Sequence, residues 1–444
     1  MRRAPTARKP GRIARALVAC AAVFGASVGP ASGQILPSTP SLPPVGSLPP
    51  TLGQTLDRTR EIADPGRLLE RRELRLRDFI RANREVIEAD DLGRPVVRGE
   101  VIAVGPSEAA LAAARKAGFT VKSDERLDDL GLRMVVLAVP DGQSARAAVK
   151  RLRKLDPQGS YEFNHVYDGS GGSVGVAVGG AAGSGASAGG VRVGLIDSGV
   201  AADHPALART RVIRQGFAAG GVVPKPHGTA VASLLAGQAG AFRGAAPGAT
   251  VYAADVYGSQ PTGGSAVAVS RALAWMAKER VPVINVSLVG PPNAALKAAA
   301  DALIARGHVV VAAVGNDGPA APPLYPASYP GVVAVTGVDA RSRVLPEAGR
   351  GAHVDYAAPG ADMAAAGTAG YQVVRGTSFA APLVAGRLAR MLNAPDRAGA
   401  ERAVASLGRE AADLGPKGPD KIYGRGLVAA DLRTPPAAVK AKAR

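Results

Sequence analysis

The chain has 444 residues, enough for two or three domains of average size, and its apolar fraction of 47% excludes wholesale disorder. Aromatics make up only 4%, so the core is expected to be aliphatic, and the one cysteine, Cys20, excludes an internal disulfide. The net charge of +18 is spread out: 1–33 hold six basic and no acidic residues, 34–190 hold 21 against 20, 191–432 hold 23 against 16, and 433–444 add four basic ones. No basic stripe is interleaved with aromatics, so nucleic acid is not an expected partner.

Residues 1–33 have the layout of an export signal. Basic residues up to Arg15 precede the apolar run Ala16 to Val28, and Ala31-Ser32-Gly33 offers small residues for cleavage before Gln34. The run is shorter than the roughly 20 residues that span a bilayer, and no later stretch is longer, so no stable membrane span is expected. Leu17-Val18-Ala19-Cys20 has the form of a lipid-anchor motif, but the apolar run follows Cys20 instead of preceding it. The expectation is therefore an exported chain, periplasmic or secreted, with lipid anchoring through Cys20 as the lesser alternative.

Residues 34–55 form a Pro-rich linker, and 56–95 a charged helical segment with Leu68, Leu69, Leu76, Phe79 and Ile80 among Arg and Glu. Residues 96–168 read as a small α+β domain. Strands are expected at Val96–Val104, Phe119–Lys122, Leu132–Val139 and Tyr161–Tyr167, with helices at Ser107–Lys116 and Ser144–Leu155. The order β-α-β-β-α-β is the split βαβ pattern of ferredoxin-like domains. Residues 169–190, almost all Gly, Ser, Ala and Val, read as a Gly/Ser-rich flexible linker.

Across 191–432, strands (Val191–Ile196, Thr250–Asp255, Val281–Ser287, His308–Val314, Val332–Val338) alternate with helices (His227–Ala236, Ser265–Glu279, Ala294–Arg306, Ser378–Leu392). Apolar strands separated by helices indicate an α/β domain with a mostly parallel sheet covered on both faces. A basic tail, 433–444, closes the chain.

Three short stretches carry chemistry. Asp197 ends a buried strand in Gly194-Leu195-Ile196-Asp197-Ser198-Gly199, His227 opens a helix in His227-Gly228-Thr229-Ala230-Val231-Ala232-Ser233, and Ser378 opens another in Gly376-Thr377-Ser378-Phe379-Ala380-Ala381-Pro382. Singly, each has a bland reading as a cap, a surface or a turn residue. Together they hold what a serine nucleophile needs: an imidazole base and a carboxylate that orients it. The chain order Asp, His, Ser differs from that of chymotrypsin and of α/β-hydrolases, and Ser378 lies in no G-x-S-x-G elbow. Asn316 follows the strand Val309 to Val314 and Gly315, where an amide donor would meet a developing oxyanion; the Ser378 N–H at a helix start would be a second donor.

On these motifs, with Asp203-His204-Pro205, Ile284-Asn285-Val286-Ser287-Leu288 and Tyr423-Gly424-Arg425-Gly426 in support, 191–432 resembles the catalytic domain of subtilisin-like (subtilase, S8) serine proteases. The resemblance implies a three-layer subtilisin-like domain in which Asp197 orients, His227 is base and acid, Ser378 attacks and Asn316 donates to the oxyanion. It also implies that Ser287, Leu288, Val289 and Gly290 pair with substrate backbone, and that Ala313, Val314 and Gly315 form the opposite wall of the pocket. His165, His204, His308 and His353 belong to no complete constellation.

Residues 96–168 resemble the family's propeptide, whose last strand would be Tyr161 to Tyr167; the chain's own small domain would then be a partner and 167–190 its processing region. Protein or peptide substrates are the other expected partners, and neither cofactor nor metal is expected. The sequence departs from the family pattern in having Val314 where alanine is usual, a short Asp197 to His227 segment, and the glycine-rich linker where an N-terminal helix is usual. The alternative is a catalytically silent peptide-binding or chaperone-like protein on the same fold.

Overall fold

The computed structural model describes residues 64–169, 172–178 and 190–439. The expected export signal and Pro-rich linker lie outside those residues.

The first element, α1 (Pro65–Ala82), starts where the Asp64 side chain accepts from the Gly66 and Arg67 N–H groups, with Pro65 at a position that needs no amide hydrogen. The segment expected to be helical to residue 95 turns back sooner. Ile87 and Val97 prefer a paired, half-buried backbone, so β1 (Ile87–Ala89) forms a hairpin with the start of β2 (Pro95–Val104).

The remaining small-domain elements are α2 (Glu108–Lys116), β3 (Thr120–Leu127), β4 (Leu132–Ala138), α3 (Ala145–Leu155) and β5 (Ser160–His165). Ser107 and Ser144 cap the two helices through their hydroxyls. All pairings in this sheet are antiparallel, in the order β5-β2-β4-β3, which is the ferredoxin-like arrangement. β3 runs five residues past its expected end at Lys122. Its polar alternation Lys122-Ser123-Asp124-Glu125-Arg126 suits an edge strand, and Arg133 on β4 binds Asp124 across the pair.

Strands β2 and β4 are apolar on both faces for a reason. Val101, Ala103, Val135 and Leu137 pack on α2 and α3 through Leu111, Ala148 and Leu152. Ile102, Met134 and Val136 face the other way and share a cluster with Leu273, Leu296 and Leu303 of the second domain. A near-continuous apolar run such as Leu132 to Val139 in an antiparallel sheet requires that second cover.

The glycine-rich segment is not wholly a connector. Asp168 and Gly169 form β6, and Gly172–Val178 form β7, which pairs antiparallel with the later strand Tyr371–Arg375. Val174, Val176 and Val178 alternate with small residues, a period-two pattern that the glycine content masked.

In the large domain, β8 (Arg192–Asp197), β9 (Val212–Gly216) and α4 (Pro226–Ala236) lead to a short hairpin, β10 (Gln238–Ala239) with β11 (Phe242–Arg243). There follow β12 (Thr250–Asp255), α5 (Ala266–Lys278), β13 (Val283–Val286), β14 (Leu288–Val289), α6 (Ala294–Ala305), β15 (Val309–Ala313), β16 (Val333–Val338) and β17 (Tyr356–Pro359). The chain closes with β18 (Met363–Ala366), β19 (Tyr371–Arg375), α7 (Thr377–Ala389) and α8 (Arg397–Glu410). Seven strands form one parallel sheet in the order β17-β16-β15-β13-β8-β12-β9. α4 and α7 cover one face, through Leu234, Phe379 and Leu388, and α5 and α6 cover the other. This is the expected three-layer, subtilisin-like arrangement.

The basic tail is partly structured. Leu432 and Val439 are buried in the main core, and Ala364 on β18 donates to the Thr434 carbonyl at 2.9 Å, so apolar anchors hold residues 433–439 against the sheet edge. Among the described residues, no helix is long and apolar enough to cross a membrane.

Candidate active site

Parallel strands place their carboxyl ends at one rim of the sheet, and loops leaving that rim meet in a crevice. Asp197 is the last residue of β8 and is 1% exposed, held by the Ser198 N–H at 2.6 Å and the Ser198 hydroxyl at 3.1 Å, both donating to Oδ1. The same hydroxyl accepts from the Gly228 N–H at 3.0 Å, tying the strand end to the first turn of α4. His227 is the second residue of that helix, after Pro226.

Ser378 is likewise the second residue of its helix, not the cap. The cap is Gly376, at φ +140°, a conformation that side chains other than hydrogen rarely adopt. Its turn brings Ser378, 151 positions beyond His227, under the imidazole.

His227 Nδ1 donates to Asp197 Oδ1 at 2.9 Å, and the Ser378 hydroxyl donates to His227 Nε2 at 3.0 Å. Burial pushes the imidazole below its ordinary value of 6.5, but the charge and hydrogen bond of Asp197 more than offset this and leave it raised. The Phe379 ring, 5.3 Å from the imidazole centroid to centroid, closes one side. Asn316 follows Gly315 at the rim of β15, and its Oδ1 accepts from the Thr377 N–H at 3.0 Å, which sets the amide next to the start of α7. The Thr377 hydroxyl in turn accepts from the Gly315 N–H at 3.1 Å.

The two expected walls also converge here. Ser287 is fully buried and donates to the Ser378 carbonyl at 3.0 Å, with Asn285 Nδ2 donating to the Ser287 hydroxyl at 2.8 Å. Leu288 and Val289, as β14, pair antiparallel with Gly169 and Asp168. Opposite lies Gly315, φ +97°, where a Cβ would stand 2.5 Å from Leu324 Cδ1 and 3.6 Å from Val289. Ala313 and Val314 are buried; the Val314 side chain belongs to the cluster of Val332, Ala334 and Val354, and Leu324 is the residue that reaches into the gap. Leu324 escaped the sequence reading because nothing local marks a loop leucine as pocket lining.

The chain's own segment 166–169 fills the crevice. Val166 bridges Ser265, and the Tyr167 N–H donates to the Gly264 carbonyl at 2.8 Å. Tyr167 is fully buried against Gly290, where a Cβ would be 2.4 Å from its Cδ1, and its hydroxyl donates to the Pro291 carbonyl at 2.7 Å. A Cβ on Gly169 would lie 3.9 Å from the His227 ring. On the far side, Gly172 already pairs with Arg375, three residues before Ser378.

Asp317, directly after Asn316, was also missed in the sequence. It is 6% exposed and takes hydrogen bonds from Arg72 at 2.7 Å and Arg75 at 3.0 Å, both on α1. The other four histidines lie apart from the triad: His204 bonds the Gly370 carbonyl, His308 the Val281 carbonyl and His165 the Asp90 carboxylate, while His353 stands at a separate surface cavity. Among the described residues, no three His, Cys, Asp or Glu side chains gather as metal ligands.

The family model of peptidase S8, the subtilase family, matches residues 188–426. Subtilisin DY of Bacillus licheniformis is 34% identical over 249 residues, covering 54% of this chain and 88% of that protein. Subtilisin E of Bacillus subtilis (strain 168) is 34% identical over 216 residues, 46% of this chain and 55% of that protein, so the chain spans about half of that relative's length. Among solved structures, fervidolysin from Fervidobacterium pennivorans, described as a keratinolytic enzyme related to subtilisin, superposes with a TM-score of 0.63 at 20% identity. That superposition covers 78% of this chain and 61% of the other, and at that identity it speaks for the fold.

Proposed function

Because the chain belongs to the subtilase family and is a serine endopeptidase, we propose that Asp197, His227 and Ser378 are its catalytic triad and that its first substrate is its own chain between residues 169 and 172. The hydrogen-bond line from Asp197 through His227 to Ser378, passing beside a strand of the same chain, carries this reading.

In the reaction, the Ser378 hydroxyl passes its proton to His227 Nε2 as its oxygen bonds to the scissile carbonyl carbon. Asp197 keeps Nδ1 protonated and stabilises the imidazolium that forms. Negative charge collects on the former carbonyl oxygen, to which the Asn316 amide and the Ser378 N–H donate. His227 then returns the proton to the departing amine, leaving an acyl-enzyme. Water, deprotonated by His227, attacks the acyl carbon, and His227 passes that proton to the Ser378 oxygen as its bond to the acyl carbon breaks.

Substrates bind as an added strand on β14, which gives affinity through main-chain hydrogen bonds and places loose demands on sequence. A substrate that replaces 166–169 inherits the pocket vacated by Tyr167, lined by Gly290 and Pro291, which suits a large aromatic side chain. The small domain acts as a propeptide, holding its last residues across the cleft as product. Residues 1–33 direct export, and the working enzyme acts outside the cytoplasm.

Intact mass of the purified chain beside its Ser378→Ala variant tests the reading. A wild type that splits between 169 and 172 while the variant stays whole is the expected result. A variant that splits with wild-type kinetics refutes Ser378 as the nucleophile.

A further inference from the structure

The cleft is covered twice, and the strand 166–169 accounts for only one cover. The other is α1. Leu68, Arg72, Arg75, Leu76 and Phe79 recur at helical spacing and share one face. Near the carboxyl end, Phe79 and Ile80 pack with Ile87, Val97 and Val166 of the small domain. Near the other end, Leu68 rests on Gly318, where a Cβ would come within 3.1 Å of its own.

Between these anchors, Arg72 Nε donates to Asp317 Oδ2 at 2.7 Å and Arg75 Nη2 donates to Oδ1 at 3.0 Å. The Asp317 carboxylate is 7% exposed and Arg72 14%, so the central pair is largely out of water. Arg75 also stands 3.6 Å from the Asp168 carboxylate of the crevice strand. The helix thus roofs a cavity of about 370 Å3, with Asp168, Val289 and Leu324 among its other walls.

We propose that α1 is a second inhibitory element that docks on the Asp317 lip, so that cutting the chain between 169 and 172 leaves the enzyme shut until the helix lets go. This deepens the protease reading and rests on it. After the cut, the strand is a product held by the short ladder of β6 on β14 and by Tyr167. α1 joins that product to the opposite lip, and two linked contacts dissociate far more slowly than either alone.

A helix also resists the enzyme it blocks. Its backbone amides are used internally, so it cannot lie as an added strand on β14 and be cut. The lip fits this partner by charge: a buried carboxylate facing two guanidinium groups three residues apart on one helix face.

The test uses the full chain in four forms: wild type, R72A/R75A, R72K/R75K, and R77A/R81A, which makes the same charge change at exposed positions bound only within the helix. Intact mass follows the cut, and a fluorophosphonate follows access to Ser378 afterwards. All four forms are expected to be cut, with the lag between cut and labelling shortened about tenfold or more in R72A/R75A. R72K/R75K should restore part of the lag, and R77A/R81A should match wild type.

Equal lags in wild type and R72A/R75A overturn the proposal, as does a lag shortened equally by R77A/R81A. Absence of both cutting and labelling in wild type removes the protease reading, and this proposal with it.

Discussion

Two histidines, one in the cleft and one at the end of β5 in the small domain, make the same pair and are pushed in opposite directions. His227 donates to Asp197 at 2.9 Å and His165 donates to Asp90 at 3.2 Å. His227 keeps 21% of its side chain exposed and presents its second nitrogen to a hydroxyl, which serves as donor or acceptor. His165 is 4% exposed, and its second nitrogen accepts from the Asn293 amide nitrogen, which is donor only. Burial, outweighing the bond and charge of Asp90, holds His165 below the ordinary 6.5, whereas Asp197 lifts His227 above it. A carboxylate partner does not by itself make a base; the balance between burial and the partner's charge decides whether a proton is welcome.

The largest break in this comparison is at the cleft. Ser378→Ala or His227→Ala should lower the rate at which the full chain cuts itself by about 10⁴-fold or more, while His165→Gln leaves that rate within about tenfold of wild type. Intact mass of the full chain followed over time checks both, and equal losses at the two histidines would erase the distinction.

Next in size is Asn316→Ala, expected to lower kcat about 10²–10³-fold with KM little changed, a magnitude taken from the corresponding asparagine of subtilisin. A rise in KM alone would show that Asn316 binds substrate without favouring the transition state.

Smaller is Gly290→Ala, whose methyl group meets the Tyr167 ring at 2.4 Å. Displacing the ring should weaken the hold of the small domain by about 1–3 kcal/mol, measured as faster release after processing.

The pH dependence sharpens the contrast. His227 must be neutral to accept a proton, so kcat/KM should rise through a pKa above 6.5, and Asp197→Asn should move that limb to lower pH. His165 has the opposite sign: its folded value lies below the unfolded 6.5, so its contribution to folding stability is full above 6.5 and is lost as pH falls through the folded value. Unfolding of the chain by denaturant should therefore become easier in mild acid, and His165→Gln should flatten that response.

Much of this was readable in the chain. Asp197, His227, Ser378 and Asn316 sit at strand and helix ends marked by glycines and apolar runs, and local patterns of period 2 and 3.6 placed most elements within a few residues. Polar alternation hid the end of β3, and glycine content hid β7, because composition outweighed periodicity there.

What the sequence alone determined was therefore the candidate residues and the elements, since caps, turns and side-chain periods act over a few neighbouring residues. The tertiary structure decided which surfaces meet. Arg72 and Asp317 lie 245 positions apart, Leu324 enters the pocket from a loop, and Val439 docks from a tail that reads as solvated charge. Such contacts depend on the shape and burial of both partners at once, and neither is written in the local sequence of the other.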